Sequence, residues 1–235
     1  MKITGRPRIN PQANDVLVYL ITNRLGFHES GRLSPISREL QLAAIEIASR
    51  SGCQLIQIRE KDLEAGELIR FTREAIGLAR PHGARVLVND RLDVALASGA
   101  DGVHLRQTSL SPSATRRGAM RAGRAGLLIG VSTHTLMEAQ LAESEGADFI
   151  VCGPVEATRS GRSDGPLKLP LELTELAAIC ERITIPVIAL GGLNPANFQN
   201  ALGAGAAGIA GISIFQQMMT LEKTVARLQA GRRLR

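Results

Sequence analysis

The sequence predicts an α/β fold, a closed (β/α)8 TIM barrel, and three observations support this prediction. The chain has 235 residues, a length at which single α/β barrels are common. Eight short apolar runs alternate with longer amphipathic stretches, the pattern of a parallel sheet covered by helices. Hydrophobic residues make up 44% of the chain and charged residues 21%, which is enough apolar material for one large core.

The predicted strands and helices follow one another in regular alternation. Because the chain has five Phe, one Tyr and no Trp, the core must be aliphatic. The predicted strands cover residues 16–22, 55–59, 86–89, 102–105, 127–131, 149–152, 186–190 and 208–212. The predicted helices cover residues 38–51, 64–80, 92–98, 136–145, 171–182, 195–204 and 220–229.

Glycines mark the ends of four of these helices. Gly52, Gly99, Gly146 and Gly205 each stand between a helical pattern and the next strand, where a helix C-cap and a tight loop are expected. Such glycines are common in any α/β protein, but eight units in one chain of this length favour the closed barrel. We expect one barrel domain over residues 15–230, a flexible segment over 1–14 and a basic tail over 231–235.

The net charge of +6 limits the partners that the chain is expected to have. Few aromatic residues are available for base stacking, so we expect no nucleic-acid partner. No apolar run reaches the ~20 residues that span a bilayer and no secretory signal is present, so we expect a cytoplasmic protein without membrane contact. Cys53, Cys152 and Cys180 lack metal-ligand spacing. Small anionic substrates fit best, and a homodimer is the expected assembly.

Polar side chains at the ends of the second and third strands predict an anion site. Chemistry in such barrels collects at the C-terminal strand ends. Alternation along the second strand aims Gln57, Arg59 and Lys61 into the barrel, where two cations are costly without an anion. A phosphate or pyrophosphate satisfies them, while salt bridges to Glu60 or Asp90 are the alternative.

The next strand ends in Asn89 and Asp90, which suggest a metal ligand beside this site. Magnesium takes one or two protein carboxylates together with waters and phosphate oxygens, so Asp90 is a candidate ligand. The alternative is that Asp90 only caps the helix that follows.

Loops after the last two strands and the fifth and sixth strands supply further candidates. Gly191, Gly192, Ile212 and Ser213 lie where barrels often bind phosphate through backbone N–H groups. Hydroxyls and one imidazole come from Ser132, His134, Thr158 and Ser160. His134 also fits an ordinary position at the start of a helix. The sequence shows no Ser-His-Asp or Cys-His arrangement and no paired ligands for zinc.

Over residues 16–228 the chain resembles the thiamine-phosphate synthase and thiazole tautomerase superfamily. The resemblance lies in five segments: QIREK, VNDRLDVALASGADGVHL, IGVSTHTLMEA, GADFIVCGPVEATRS and PVIALGGLNPANFQNALGAGAAGIAGIS. Their order and spacing together make it specific.

The resemblance implies thiamine biosynthesis, in which pyrophosphate leaves a pyrimidine methyl group and a thiazole nitrogen captures the resulting carbocation. By position, the pyrimidine pyrophosphate contacts Gln57, Arg59, Lys61 and Asn89. The resemblance also implies that Asp90 would bind magnesium and that Ser132 would contact the pyrimidine. The thiazole phosphate is surrounded by Thr158, Ser160, Gly192, Ile212 and Ser213. The expected catalytic residues are Arg59, Lys61, Ser132 and His134.

The chain departs from the family pattern at two places. The family segment His-Leu-Gly-Gln-x-Asp supplies a second magnesium ligand, but here Arg106 replaces the glycine and Ser109 the aspartate. The lysine of Thr-x-Thr-Lys is replaced by Gly161. We therefore expect a weakened magnesium site. One hypothesis is that Arg106, Arg159 or Arg162 partly replaces the metal and the lysine; the other is that the chain is no longer a synthase.

Two alternatives to the synthase remain at this point. The related tautomerase isomerises a thiazole carboxylate phosphate without pyrophosphate or metal, and it uses a histidine in the segment where His134 lies. A catalytically silent barrel that regulates the pathway is the other alternative. Lys61 and Asp90, for which a tautomerase has no need, favour the synthase.

Overall fold

A computed structural model describes residues 16–24, 36–159, 167–168 and 170–231. Eight parallel strands close into a barrel, which confirms the predicted (β/α)8 fold. The barrel strands are β1 (Leu17–Ile21), β2 (Leu55–Ile58), β3 (Arg85–Asn89), β4 (Gly102–Leu105), β5 (Leu128–Thr133), β6 (Phe149–Cys152), β9 (Val187–Leu190) and β10 (Gly208–Gly211). Around the barrel their order is β1-β10-β9-β6-β5-β4-β3-β2.

Helices cover the outside of the barrel and connect successive strands. They are α1 (Arg38–Arg50), α2 (Ala65–Ala79), α3 (Leu92–Ser98), α4 (Pro112–Arg121), α5 (Leu136–Ser144), α6 (Leu173–Arg182), α7 (Phe198–Gly203) and α8 (Leu221–Gln229). Short 3₁₀ turns occupy Arg80–His82, Ser213–Phe215 and Met218–Thr220. None of the helices in the described part of the chain is long and apolar enough to cross a membrane.

Two apolar layers pack on the two faces of the strands. Ile56 and Ile58 belong to the layer between barrel and helices. Leu55 belongs to the inner layer, where Tyr19 and Phe149 fill the barrel. The alternation along β2 is therefore the predicted one, and it turns Gln57, which is 2% exposed, toward the interior.

The predicted helix-terminal glycines are confirmed. All four adopt left-handed backbone conformations, and Gly99, with φ of 78°, caps α3 by donating its N–H to the carbonyl groups of Ala95 and Leu96. A side chain with a Cβ is strained at this φ, which is why glycine stands at this helix end. Cys53 and Cys152 are buried, as expected for small core side chains.

Two elements were not predicted. Helix α4 lacks an apolar stripe in its polar sequence, although Ser111 at its N-cap, which accepts from Ala114 N at 3.2 Å, and Pro112 at its first position are typical start signals. The second is a small antiparallel hairpin after β6, formed by β7 (Thr158–Arg159) and β8 (Leu167–Lys168). The predicted segment 1–14 lies outside the described residues, as does the predicted tail after Gly231.

Candidate active site

The ends of β2 and β3 bring two predicted ligands into contact. Gln57 is buried inside the barrel, and its Nε2 donates to Oδ1 of Asn89 at 3.4 Å. Both amides stand at the C-terminal end of the barrel; strand parity predicted the inward direction of Gln57, and the family resemblance predicted Asn89 at the same site.

Arg59 follows β2 and is half-buried. Its backbone N–H donates to Thr22 Oγ1 at 2.9 Å, but its guanidinium has no hydrogen bond or ion pair with any residue that the structure describes. Burial lowers the pKa of this guanidinium; Glu60 opposes the shift, and the positive charge of Arg106 adds to it. A partly desolvated cation without an anion is costly, so this group is ready to bind one.

The neighbouring carboxylate of Glu60 does not form a salt bridge with Arg59. Glu60 is buried and accepts from Gln41 Nε2 at 3.0 Å and from Arg24 N at 2.8 Å, so it serves the β1–α1 side of the barrel. Burial raises the pKa of the Glu60 carboxyl. Lys61 lies beyond the end of β2 in a turn and is exposed. The alternation of a strand therefore does not determine where the Lys61 side chain points, contrary to the prediction.

Asp90 binds a cation of the chain itself. Its Oδ2 accepts from Arg106 Nε at 2.7 Å and lies 2.5 Å from Arg106 Nη2, and its Oδ1 accepts from Ser109 Oγ. The Asp90 backbone has φ of 60°, the left-handed conformation that is rare outside glycine. The alternative of a helix cap is wrong, because the N-cap of α3 is Arg91.

This arrangement does not fit a resident magnesium ion. Both oxygens of Asp90 already have donors, and Ser109 brings a neutral hydroxyl where a second carboxylate was expected. Within residues 16–24, 36–159, 167–168 and 170–231, no group of three or more His, Cys, Asp or Glu side chains has a geometry that could hold a metal. Magnesium would have to displace Arg106 before it could reach Asp90, and the predicted weakened site stays a prediction.

A buried hydrogen-bond chain leads to Ser132. Tyr19 Oη lies 3.2 Å from His104 Nδ1, and His104 Nε2 lies 2.8 Å from Ser132 Oγ. Burial lowers the pKa of His104 to about 3, an effect that the charge of Arg59 increases, so the imidazole is neutral. Tyr19, His104 and Phe149 also stack edge-on and tilted against each other, with ring centroids 5.7 to 6.0 Å apart.

His104 and Tyr19 are the site residues that the sequence analysis missed. A signal was available, because Val103 and Leu105 face the helices and His104 between them must face the barrel interior.

His134 is exposed and is held at the start of α5. Its Nδ1 lies 2.5 Å from the carbonyl oxygen of Gly153, and its backbone N–H donates to Glu138 Oε2 at 2.7 Å. Because a carbonyl oxygen only accepts, the Nδ1 carries the proton. The side chain thus ties the β6 loop to α5, and a catalytic role for it stays a prediction.

Close packing explains the two glycines after β9. A Cβ at Gly191 would lie 2.6 Å from the Cβ of Pro154, and one at Gly192 would lie 2.5 Å from the Cβ of Glu156. Backbone hydrogen bonds hold the two loops together, including Glu156 N to Gly191 O at 3.1 Å. The glycines are needed for this contact whether or not phosphate binds there.

The last strand leads toward a cavity that two cationic side chains line. Ile212 is half-buried, and exposed Ser213 begins a 3₁₀ turn. A cavity of about 470 Å³ opens beside the ends of β9 and β10, and Ser213 lines it together with the cationic side chains Lys223 and Arg227. This cavity suits an anionic group.

The remaining predicted residues belong to the hairpin region. Thr158 forms the start of β7, while Ser160, Gly161 and Arg162 lie outside the described residues. The hypothesis that Arg159 or Arg162 replaces a lysine stays a prediction.

The matching family model and the curated relatives below name the same family. The family model described as thiamine monophosphate synthase matches residues 30–215. A thiamine-phosphate synthase from Methanospirillum hungatei is 42% identical over 199 residues, 85% of this chain and 89% of the relative. One from Chlorobium phaeobacteroides is 40% identical over 182 residues, 77% of this chain and 81% of the relative. The solved structure of a thiamine phosphate pyrophosphorylase from Pyrococcus furiosus superposes with a TM-score of 0.74 at 30% identity, covering 91% of this chain and 93% of that one.

Proposed function

The chain belongs to the thiamine monophosphate synthase family, and from this premise we propose that it joins hydroxymethylpyrimidine pyrophosphate to thiazole phosphate. The predicted resemblance is confirmed, and the chain is a transferase of thiamine biosynthesis. In the proposed reaction the bond between the pyrimidine methylene carbon and oxygen breaks, and its electron pair leaves with pyrophosphate. The thiazole nitrogen lone pair then forms the new carbon–nitrogen bond, so that no proton is lost.

The single observation that carries this proposal is the unpaired Arg59. Its half-buried guanidinium has no anion among the described residues, and Arg59 follows the end of β2 two residues after Gln57, whose amide contacts that of Asn89. We infer that these groups and Lys61 hold the pyrophosphate, and that the two cations stabilise the charge that develops as it leaves.

Ser132 is the proposed contact for the pyrimidine. The neutral imidazole of His104 fixes the Ser132 hydroxyl from below, and Tyr19 fixes the imidazole in turn. The hydroxyl is thereby held in place before substrate arrives, which is the condition for positioning a small planar ring.

The thiazole phosphate is proposed to bind at the opposite side of the barrel mouth. Support comes from Ser213 beside a cavity with two cations, while Gly192 and Ile212 bring backbone groups to the same strand ends. We therefore propose two separate anion sites at the barrel mouth, one for each substrate.

Three finer proposals complete this function. We propose a cytoplasmic homodimer without a nucleic-acid partner, in keeping with the biosynthetic family and the small aromatic content. Light scattering after size exclusion would give twice the 25.1 kDa chain mass for the dimer. A mass of one chain would contradict it.

The test is a product assay with purified protein. Given both substrates, the protein should form thiamine phosphate and pyrophosphate in equal amounts, and given the thiazole carboxylate phosphate alone it should leave the tautomer unchanged. Isomerisation without thiamine phosphate would establish the tautomerase instead. Inactivity in both mixtures would leave a binding protein.

A further inference from the structure

The ion pair between Arg106 and Asp90 is more than a surface contact. Arg106 directs two N–H groups to one oxygen of Asp90, and its backbone N–H donates to Ser109 Oγ at 2.9 Å. Ser109 Oγ in turn donates to the other oxygen of Asp90. The three residues form a closed ring of hydrogen bonds, so the guanidinium has a fixed position.

This guanidinium keeps donors available for a ligand. A guanidinium has five N–H groups, of which Asp90 uses two. The side chain of Arg106 is 54% exposed. Its bond to Asp90, the residue that follows Asn89 at the end of β3, places Arg106 at the C-terminal end of the barrel, next to the proposed pyrophosphate site.

The charges of the ring equal those of a metal site. A carboxylate and a guanidinium sum to zero, as do two carboxylates and a divalent cation. Replacing a carboxylate by Ser109 and adding Arg106 together raise the charge of the protein groups by two, which equals the charge of a divalent cation, and Arg59 remains as a further positive charge. The repulsion between Arg59 and Arg106 is relieved when an anion lies between them.

We propose that Arg106, held by Asp90 and Ser109, is the fixed cation of the pyrophosphate site, and that the protein binds pyrophosphate without magnesium. This rests on the proposed function only in taking pyrophosphate as the ligand. Arg106 contacts the pyrophosphate oxygens, while Asp90 and Ser109 position its guanidinium.

The test is a calorimetric titration with inorganic pyrophosphate, in EDTA and in excess magnesium. The wild-type protein should bind in EDTA with a Kd within threefold of its value in magnesium. Arg106→Ala should weaken binding in EDTA at least tenfold, and the double variant Arg106→Ala/Ser109→Asp should recover it only with magnesium. The matched control is Arg80→Ala, which breaks an equally exposed Arg–Asp pair at the other end of the barrel and should bind as the wild type does.

Four results would overturn the proposal. The first is a loss of wild-type affinity of tenfold or more in EDTA, and the second is an Arg106→Ala protein that still binds as tightly as the wild type in EDTA. If the wild type forms thiamine phosphate only with magnesium, the proposed function stands and this inference fails. If pyrophosphate binds in neither condition and no product forms, both fail together.

Discussion

Both ends of the barrel contain paired charges, but the C-terminal end also carries a half-buried cation that is not paired with any described residue. At the N-terminal end, Asp148 accepts from Ile129 N at 2.8 Å and from Arg116 Nη2 at 2.7 Å, and Asp101 binds Val86 N and Arg80 in the same manner. At the C-terminal end, the Arg59 guanidinium has no such partner among the described residues.

The difference separates stability from function. Each aspartate at the N-terminal end joins a neighbouring strand to a surface element, so its charge and its lone pairs are satisfied within the fold. The C-terminal end leaves a cation unsatisfied, which costs stability in the free protein and is offset only when an anion binds. Substitutions at the two ends should therefore affect different measurements.

The largest expected effect comes from breaking the C-terminal end. Arg59→Ala should lower kcat/KM for thiamine phosphate formation by about 10²–10³-fold, because a donor aimed at developing charge is lost. Its thermal unfolding should be unchanged or shifted upward, since a partly desolvated cation is removed. Arg38→Ala, on the outer face of α1, is the control and should keep full activity. An Arg59→Ala enzyme within threefold of wild type would show that this cation is structural.

The next effect comes from breaking the N-terminal end. Asp148→Ala removes the carboxylate partner of the largely buried Arg116 guanidinium, which keeps only the carbonyl oxygens of Leu127 and Gly146, and leaves the Ile129 N–H without its acceptor, so it should reduce the free energy of unfolding by about 3 kcal/mol. Urea denaturation measures this loss, and kcat of the protein that remains folded should stay within twofold. Glu74→Ala, which removes an exposed partner of Arg38, is the control at below about 1 kcal/mol. A loss below 1 kcal/mol for Asp148→Ala would contradict the assignment.

A pH titration sharpens the comparison at the centre of the barrel. The pKa of His104 is about 3 in the folded protein against an ordinary value of 6.5, so below pH 6.5 the unfolded chain takes up a proton that the folded protein excludes. The free energy of unfolding therefore decreases as the pH is lowered, and this group alone should account for a decrease of about 2 kcal/mol from pH 8 to pH 5.

Comparison of unfolding curves isolates this contribution. His104→Gln should lose less stability than the wild type over the same pH range, by about that amount. The exposed His82 provides the matched control, and His82→Gln should follow the wild-type curve. Identical slopes for wild type and His104→Gln would refute the buried neutral imidazole.

The smallest expected effect tests whether an exposed ion pair at the N-terminal end contributes little to stability. Arg80→Ala removes an exposed partner of Asp101, which keeps its bond to Val86 N, so the free energy of unfolding should fall by less than about 1 kcal/mol. Activity should not change. A larger loss would show that exposed ion pairs at the N-terminal end contribute more to the free energy of unfolding than the comparison with the buried Asp148 predicts.

Strands and helices were predictable because their physical signals are local. A strand buried on both faces is a continuous apolar run, and β4 and β6 have the predicted bounds. Helix α4 was missed because its buried face consists of Pro112, Thr115 and Ala119, which do not make a large apolar stripe, so its N-cap is the clearest signal in the sequence.

Strand parity predicts the direction of a side chain only within a strand, so only part of the site was predictable. Parity places Gln57 in the barrel and would have placed His104 there too. It does not reach Lys61, which lies past the strand end. Nor does it reveal that Asp90 pairs with Arg106, since that contact depends on side-chain directions in two loops 16 residues apart.

Tyr19 gives the protein an optical property that its biochemists can use. It is the only tyrosine of a chain without tryptophan, and it lies two hydrogen bonds below the Ser132 hydroxyl. The near-ultraviolet fluorescence of the whole molecule therefore comes essentially from one ring under the barrel mouth. Occupancy of the pyrimidine site should be readable from that emission without any label.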